Sequence, residues 1–126
     1  MNKLVFHSIR GRTSDIVDSV LQALHHEEDL HLRLAVEEVV QNIVSYAYQD
    51  DGELEVELSD DEACFIDSGQ PFNPLEAPEP DLEAPVEERT LGGLGIFLAK
   101  QYTRLQYQYL AGKNCLTMHW NNHSNT

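Results

Sequence analysis

Apolar positions along the chain fall into two periods, and the switches between them mark the elements. Leu4-Val5-Phe6-His7-Ser8-Ile9 is a short β-rich run, read as an edge strand. From Thr13 or Ser14, either of which can cap a helix, Ile16, Val17, Val20, Leu21 and Leu24 recur at helical spacing. The polar stretch from His25 to Asp29 carries Glu27, Glu28 and Asp29, which suit the positive end of a following helix dipole. That second helix is predicted over about residues 29–48, with Leu32, Val36, Val39, Ile43 and Ala47 forming one stripe. Asp50-Asp51-Gly52 is a turn signal, and Leu54, Val56 and Leu58 then alternate as a strand. Ser59-Asp60-Asp61 turns the chain into the apolar run Ala63-Cys64-Phe65-Ile66, so these two strands read as an antiparallel hairpin.

Residues 67–91 break both periods. All five prolines lie there (Pro71, Pro74, Pro78, Pro80, Pro85), with Glu76, Glu79, Asp81, Glu83, Glu87 and Glu88. Such a stretch carries neither a continuous helix nor a central strand, and a loop of this length in a compact domain is usually functional or disordered. Gly92-Gly93-Leu94-Gly95 then opens a helix bearing Ile96, Phe97, Leu98, Ala99 and Tyr102. Two strands follow, about 104–111 and 114–120, hinged at Gly112-Lys113-Asn114, and 121–126 is a polar tail expected to fray. Hairpins with helices gathered on one face predict an α+β two-layer sandwich with a mixed, mostly antiparallel sheet.

Composition narrows the function. The length of 126 residues suits one domain spanning 1–126, large enough to bury a core unaided. A formal net charge of -14 makes nucleic acid and anionic membranes poor partners. No stretch approaches the about 18 apolar residues of a membrane span, and Met1 leads into no signal peptide, so the expectation is a cytoplasmic protein. Cys64 and Cys115 form no CxxC pair and are expected as buried thiols. The six histidines show no zinc-site spacing, and neither Ser8 nor Ser68 has an evident base and orienter for a hydrolase triad.

Three segments carry possible chemistry. Glu38 and Asn42 stand at i, i+4 on the second helix, one turn apart on one face. A carboxylate there could accept a proton, and the amide oxygen could ligate a hard cation; the same pair also reads as a solvated helix face. Asp67-Ser68-Gly69-Gln70-Pro71-Phe72 leaves a strand end, where Asp67 could accept from an exocyclic amine and Gly69 lets the backbone approach a flat ligand. An Asx-type turn would use the same residues. Gly92-Gly93-Leu94-Gly95 at a helix start offers free N–H groups to an anion, yet matches neither the dinucleotide fingerprint nor a P-loop.

Taken together, their order and spacing resemble the GHKL nucleotide-binding superfamily. Within it the chain is similar to the one-domain anti-sigma-factor serine/threonine kinases of bacterial partner switching. The likeness rests on Leu34-Ala35-Val36-Glu37-Glu38 with Asn42 and Ala47-Tyr48, on Pro71-Phe72-Asn73-Pro74, and on Gly92-Gly93-Leu94-Gly95-Ile96, and it covers roughly residues 5–120. It implies the Bergerat-type ATPase fold, with ATP and Mg2+ as cofactors. Glu38 would then be the catalytic carboxylate that takes the proton from a protein Ser or Thr hydroxyl. Asn42 would hold Mg2+ against the phosphates, while Asp67 and Gly69 would bind the adenine. Gly93 and Gly95, with Leu94 between them, would form the lid hinge facing the phosphates, and Thr117 would stand beside the base. The substrate implied is a STAS-type anti-sigma-factor antagonist, with a sigma factor as competing partner and a homodimer as the assembly. Two departures stand out: Tyr46 occupies a position where this branch usually carries His, and Arg89 is the sole basic residue of an acidic lid. Arg89 is expected to reach the γ-phosphate on closure, so Arg89→Ala should change ATP affinity or turnover.

Overall fold

The computed structural model describes residues 2–47, 52–73, 75 and 99–120. Its elements run β1 (Asn2–His7), α1 (Thr13–Leu24), α2 (Leu30–Asn42), a π-helical turn (Ile43–Ala47), β2 (Glu53–Ser59), β3 (Glu62–Asp67), β4 (Arg104–Leu110) and β5 (Lys113–His119). Residues 99–102 are helical, and the predicted start of that helix at 92–98 lies outside the described residues. The five strands form one sheet in the order β1-β2-β3-β5-β4. Every pairing is antiparallel, so the expected mixed character is absent among the described residues.

Strand alternation decides which side chains meet the helices. Leu54, Val56 and Leu58 of β2, Ala63 and Phe65 of β3, and Leu116 and Met118 of β5 are buried. They share one core with Ile16, Val17, Val20 and Leu21 of α1 and Leu32, Ala35, Val36, Val39 and Val40 of α2. The intervening positions, including Cys64, Cys115 and Thr117, lie on the opposite, half-exposed face. The two cysteines are therefore free thiols on the outer face of the sheet and not core residues. The α+β arrangement with helices on one face is as predicted.

Local chemistry explains the boundaries. β1 stops at His7 because Ser8 adopts a positive φ of 70°, and the Ser8 and Ile9 N–H groups both donate to Gly52 O (3.0 and 3.1 Å). Neither predicted cap serves α1: Arg12 holds that position, and the Thr13 hydroxyl donates to Gln41 Oε1 (3.0 Å). His25 ends α1 in the left-handed region, with its N–H donating to Gln22 O (3.1 Å). Asp29 caps α2, its carboxylate accepting from Leu32 N–H (3.0 Å). Asp29→Ala should cost about 1 kcal/mol of stability, read as a lower urea midpoint at unchanged slope. Arg33 Nη1 donates to Asp18 Oδ1 across the helix pair (2.9 Å).

Two boundaries depart from the pattern. The second helix is regular only to Asn42, after which the ladder widens into the π turn through Ala47. The final hairpin turns at Ala111-Gly112, both at positive φ (56° and 78°), which suits a two-residue primed turn. Lys113 and Asn114, expected in the hinge, instead open β5.

Candidate functional site

Three polar side chains are buried among the described residues: Asn42, Asp67 and Asn114. All three line one crevice, with Val39, Ile43, Phe72, Tyr107 and Leu116 as the rest of its wall. A buried polar group needs a partner or a purpose, so their convergence marks this crevice more sharply than any single motif does.

Asp67 is the last residue of β3 and pairs with Leu54 of β2 and Asn114 of β5. The strand parity that buries Ala63 and Phe65 also turns Asp67 inward. Its Oδ1 accepts from Gly69 N–H (2.9 Å) and from Asn114 Nδ2 (2.9 Å). The Asx-type turn is therefore real, and among the described residues its bonds end on Oδ1. Burial pushes the Asp67 carboxyl above its ordinary range, opposed by the hydrogen bonds from Asn114 and Gly69. A ligand N–H that needs the ionised carboxylate should accordingly be released on acidification at a pH above the roughly 3.9 of a free aspartate. Calorimetric titration of nucleotide across a pH series checks the sign.

Asn42 ends the regular part of α2, and its Nδ2 donates to Glu38 O (2.8 Å). Because a carbonyl only accepts, this bond fixes which end of the amide is nitrogen and makes Oδ1 the end that can accept or ligate. Glu38 lies one turn earlier and is half-buried; desolvation, then the neighbouring Glu37 charge, raise its carboxyl above the usual range. No group of three or more His, Cys, Asp or Glu could hold a metal among the described residues. A cation at Asn42 would thus need ligand oxygens from a bound phosphate, a common arrangement for Mg2+.

Of the predicted residues, Asn42 and Asp67 share the crevice, Gly69 is tied to Asp67 by its N–H, and Glu38 precedes Asn42 by one helical turn without lining the crevice. Thr117 lies elsewhere: it stands on the outer sheet face, its hydroxyl 3.5 Å from Cys64 Sγ, so the placement beside a base is corrected. Asn114 occupies the inward position instead, and the motif reading had missed it. Arg89, Gly93, Leu94 and Gly95, with residues 76–91 of the expected loop and lid over 67–91, lie outside the described residues. The crevice measures about 20 Å³, close to one water, so a planar base enters only with movement of its wall. A wider cleft of about 430 Å³, with Tyr102, Arg104, His119 and Trp120 in its lining, contains none of the predicted site residues.

The geometry, then, is an inward carboxylate at a strand end, Gly69 bonded beside it, and Asn42 of α2 in the same crevice. The sequence profile of the family described as Histidine kinase-like ATPase domain matches residues 9–120. The chain belongs to this family. No curated protein matches it significantly. Membership in the histidine kinase-like ATPase family supports an ATP-binding domain of the GHKL type and accounts for the sheet with helices on one face. Among the described residues no helix is long and apolar enough to cross a membrane.

The residues present fit such a nucleotide. Asp67 keeps Oδ2 for an exocyclic amine, Gly69 has no side chain to block the approach, and Asn42 keeps Oδ1 for a hard cation. Apolar Val39, Ile43, Phe72 and Leu116 supply a dry surface for the base.

Proposed function

We propose that the chain is an ATP-dependent serine/threonine-protein kinase of the anti-sigma-factor type, acting on a STAS-domain antagonist. The reading is carried by the convergence of Asp67, Asn42 and Asn114 in one crevice, with Glu38 one helical turn before Asn42. Phosphoryl transfer asks little covalent chemistry of a protein; positioning and charge neutralisation supply most of the rate. ATP, when bound, contributes the transferable phosphoryl group, and Mg2+ would sit at Asn42 Oδ1. Asp67 orients the base through Oδ2 and is held by the bonds to Oδ1. Glu38 takes the proton of the acceptor hydroxyl on its carboxylate, a role its raised proton affinity suits. A sigma factor would compete for the same protein, and the excess of acidic residues favours a basic partner surface.

The test is transfer of labelled γ-phosphate from ATP to a STAS protein, with Glu38→Ala as control. Transfer by wild type and none by the variant supports the kinase.

A second reading is a nucleotide-dependent binding module that sequesters a sigma factor or another regulator without phosphorylating anything. The acidic composition of the sequence over 76–88 favours it, because negative charge works against handling a triphosphate. Nucleotide binding without transfer to any cognate STAS protein would select this reading.

A further inference from the structure

We propose that Asn114 is the positioning residue of this site, holding the Asp67 carboxylate and the 69–72 loop in one arrangement, so that the base is read by a Tyr107–Asn114–Asp67 unit. The inference rests on the nucleotide reading above and adds Asn114 and Tyr107 to it.

A carboxamide has two N–H donors and one oxygen with two lone pairs, and Asn114 uses both ends fully. Nδ2 donates to Asp67 Oδ1 (2.9 Å) and Gln70 O (2.9 Å), with Gly69 O at 3.5 Å. Oδ1 accepts from Phe72 N–H (3.1 Å) and from the Tyr107 hydroxyl. Every neighbour of the nitrogen is an acceptor, and every neighbour of the oxygen is a donor. The amide therefore has a single orientation, and no side chain of similar size reproduces both halves. Aspartate would lose the donors and set a like charge against Asp67. Leucine would remove one of the two donors to Asp67 Oδ1 and the bonds that Asn114 makes to Gln70 O and Phe72 N–H.

Three parts of the crevice thus hang on one side chain: the acceptor that meets the ligand, the Gly69–Gln70 backbone, and Phe72 in the wall. Tyr107 anchors the arrangement from β4, the outermost strand beyond β5. The titratable groups that feel the charge of Asp67 are Tyr107 from β4 and, through the sheet, Cys115 on the outer face of β5. Neither α2, which contributes Val39, Asn42 and Ile43, nor β2, which pairs it with Leu54, adds a charge there. Hydrogen bonding from Asn114 is consequently the main side-chain influence that favours the ionised form of Asp67 against its burial.

Two variants, Asn114→Ala and Tyr107→Phe, would be compared with wild type by two readouts. One is the carbon NMR titration of the Asp67 side-chain carboxyl without ligand, which a purely structural loss would not move in a fixed direction. The other is ADP affinity by calorimetry. In Asn114→Ala the Asp67 titration should move to higher pH and ADP affinity should fall about tenfold or more, the loss expected when a charge-assisted bond is removed. Tyr107→Phe, which deletes one oxygen, should move both in the same direction by less. A folded Asn114→Ala protein with an unmoved Asp67 titration and ADP affinity within about twofold of wild type would overturn the proposal. Should Asn114→Ala not fold, unchanged values for both readouts in Tyr107→Phe would overturn it. Wild-type protein that binds no ADP would overturn the nucleotide reading and the base-reading unit with it. The ligand-free titration shows separately whether the Asn114 tether failed too.

Discussion

Asp67→Asn should abolish nucleotide binding, by about 100-fold or more, while leaving the protein folded and at least as stable as wild type. The two halves of that expectation come from different atoms. Asparagine keeps an oxygen to accept from Gly69 N–H and Asn114 Nδ2, so the turn and the β3–β5 end are preserved. The other oxygen becomes an N–H2 group, which presents a donor to the donor of the ligand. Losing a bond to a charged acceptor costs about 1.5–3 kcal/mol, and donor-to-donor repulsion adds to it. Stability moves the opposite way. Burial raises the folded-state pKa of Asp67 above its unfolded value, so the folded protein bears a cost above that pKa, relieved as the pH falls through it. The neutral amide removes this cost at pH 7. Calorimetry for affinity and thermal unfolding for stability check the pair, and a sharply lowered melting temperature would make Asp67 a structural residue instead.

Glu38→Gln should leave ATP affinity within about threefold and reduce phosphate transfer to a STAS protein by about 10²–10⁴-fold, the range for a positioned general base. Glutamine preserves the shape of a half-buried side chain, and the bond from Asn42 Nδ2 goes to the Glu38 backbone oxygen, which the substitution does not touch. Only the proton acceptor is lost. Because desolvation and Glu37 raise the Glu38 carboxyl, the wild-type rate should climb with pH through a midpoint above the ordinary glutamate range, and that limb should vanish in the variant. Single-turnover transfer assays over a pH series measure both. Equal transfer by the variant would exclude Glu38 as the base.

Much of the architecture was legible because the signals were local. Turn residues around 59–61 and 112, and the alternation of Leu54, Val56 and Leu58, defined the hairpins, while Leu32, Val36 and Val39 marked the buried stripe of α2. The Glu38–Asn42 pair and the Asp67–Gly69 turn were visible for the same reason, since each is a contact within four residues. Asn114 was not, because its meaning lies in residues far from it in sequence, and because it was read as a hinge residue. A cue existed nonetheless. Leu116 and Met118 mark the inward parity of β5, which places Asn114 inward and Thr117 outward. The π turn after Asn42 left no trace in the periodicity, as one widened turn scarcely shifts an apolar stripe.

The Asp67–Asn114 bond joins residues 47 positions apart, at the seam between β3 and β5. The β2–β3 and β4–β5 hairpins can each close early through their short turns, whereas this seam forms only when the two ribbons dock, the slower and more entropically costly event. The crevice is therefore among the last parts of the molecule to be assembled and among the first lost when the carboxy-terminal ribbon opens. A ligand held there acts as a clasp between the ribbons. At a concentration of 100 Kd it would oppose that opening by about 2.7 kcal/mol, and slower amide exchange along 104–119 would register its arrival.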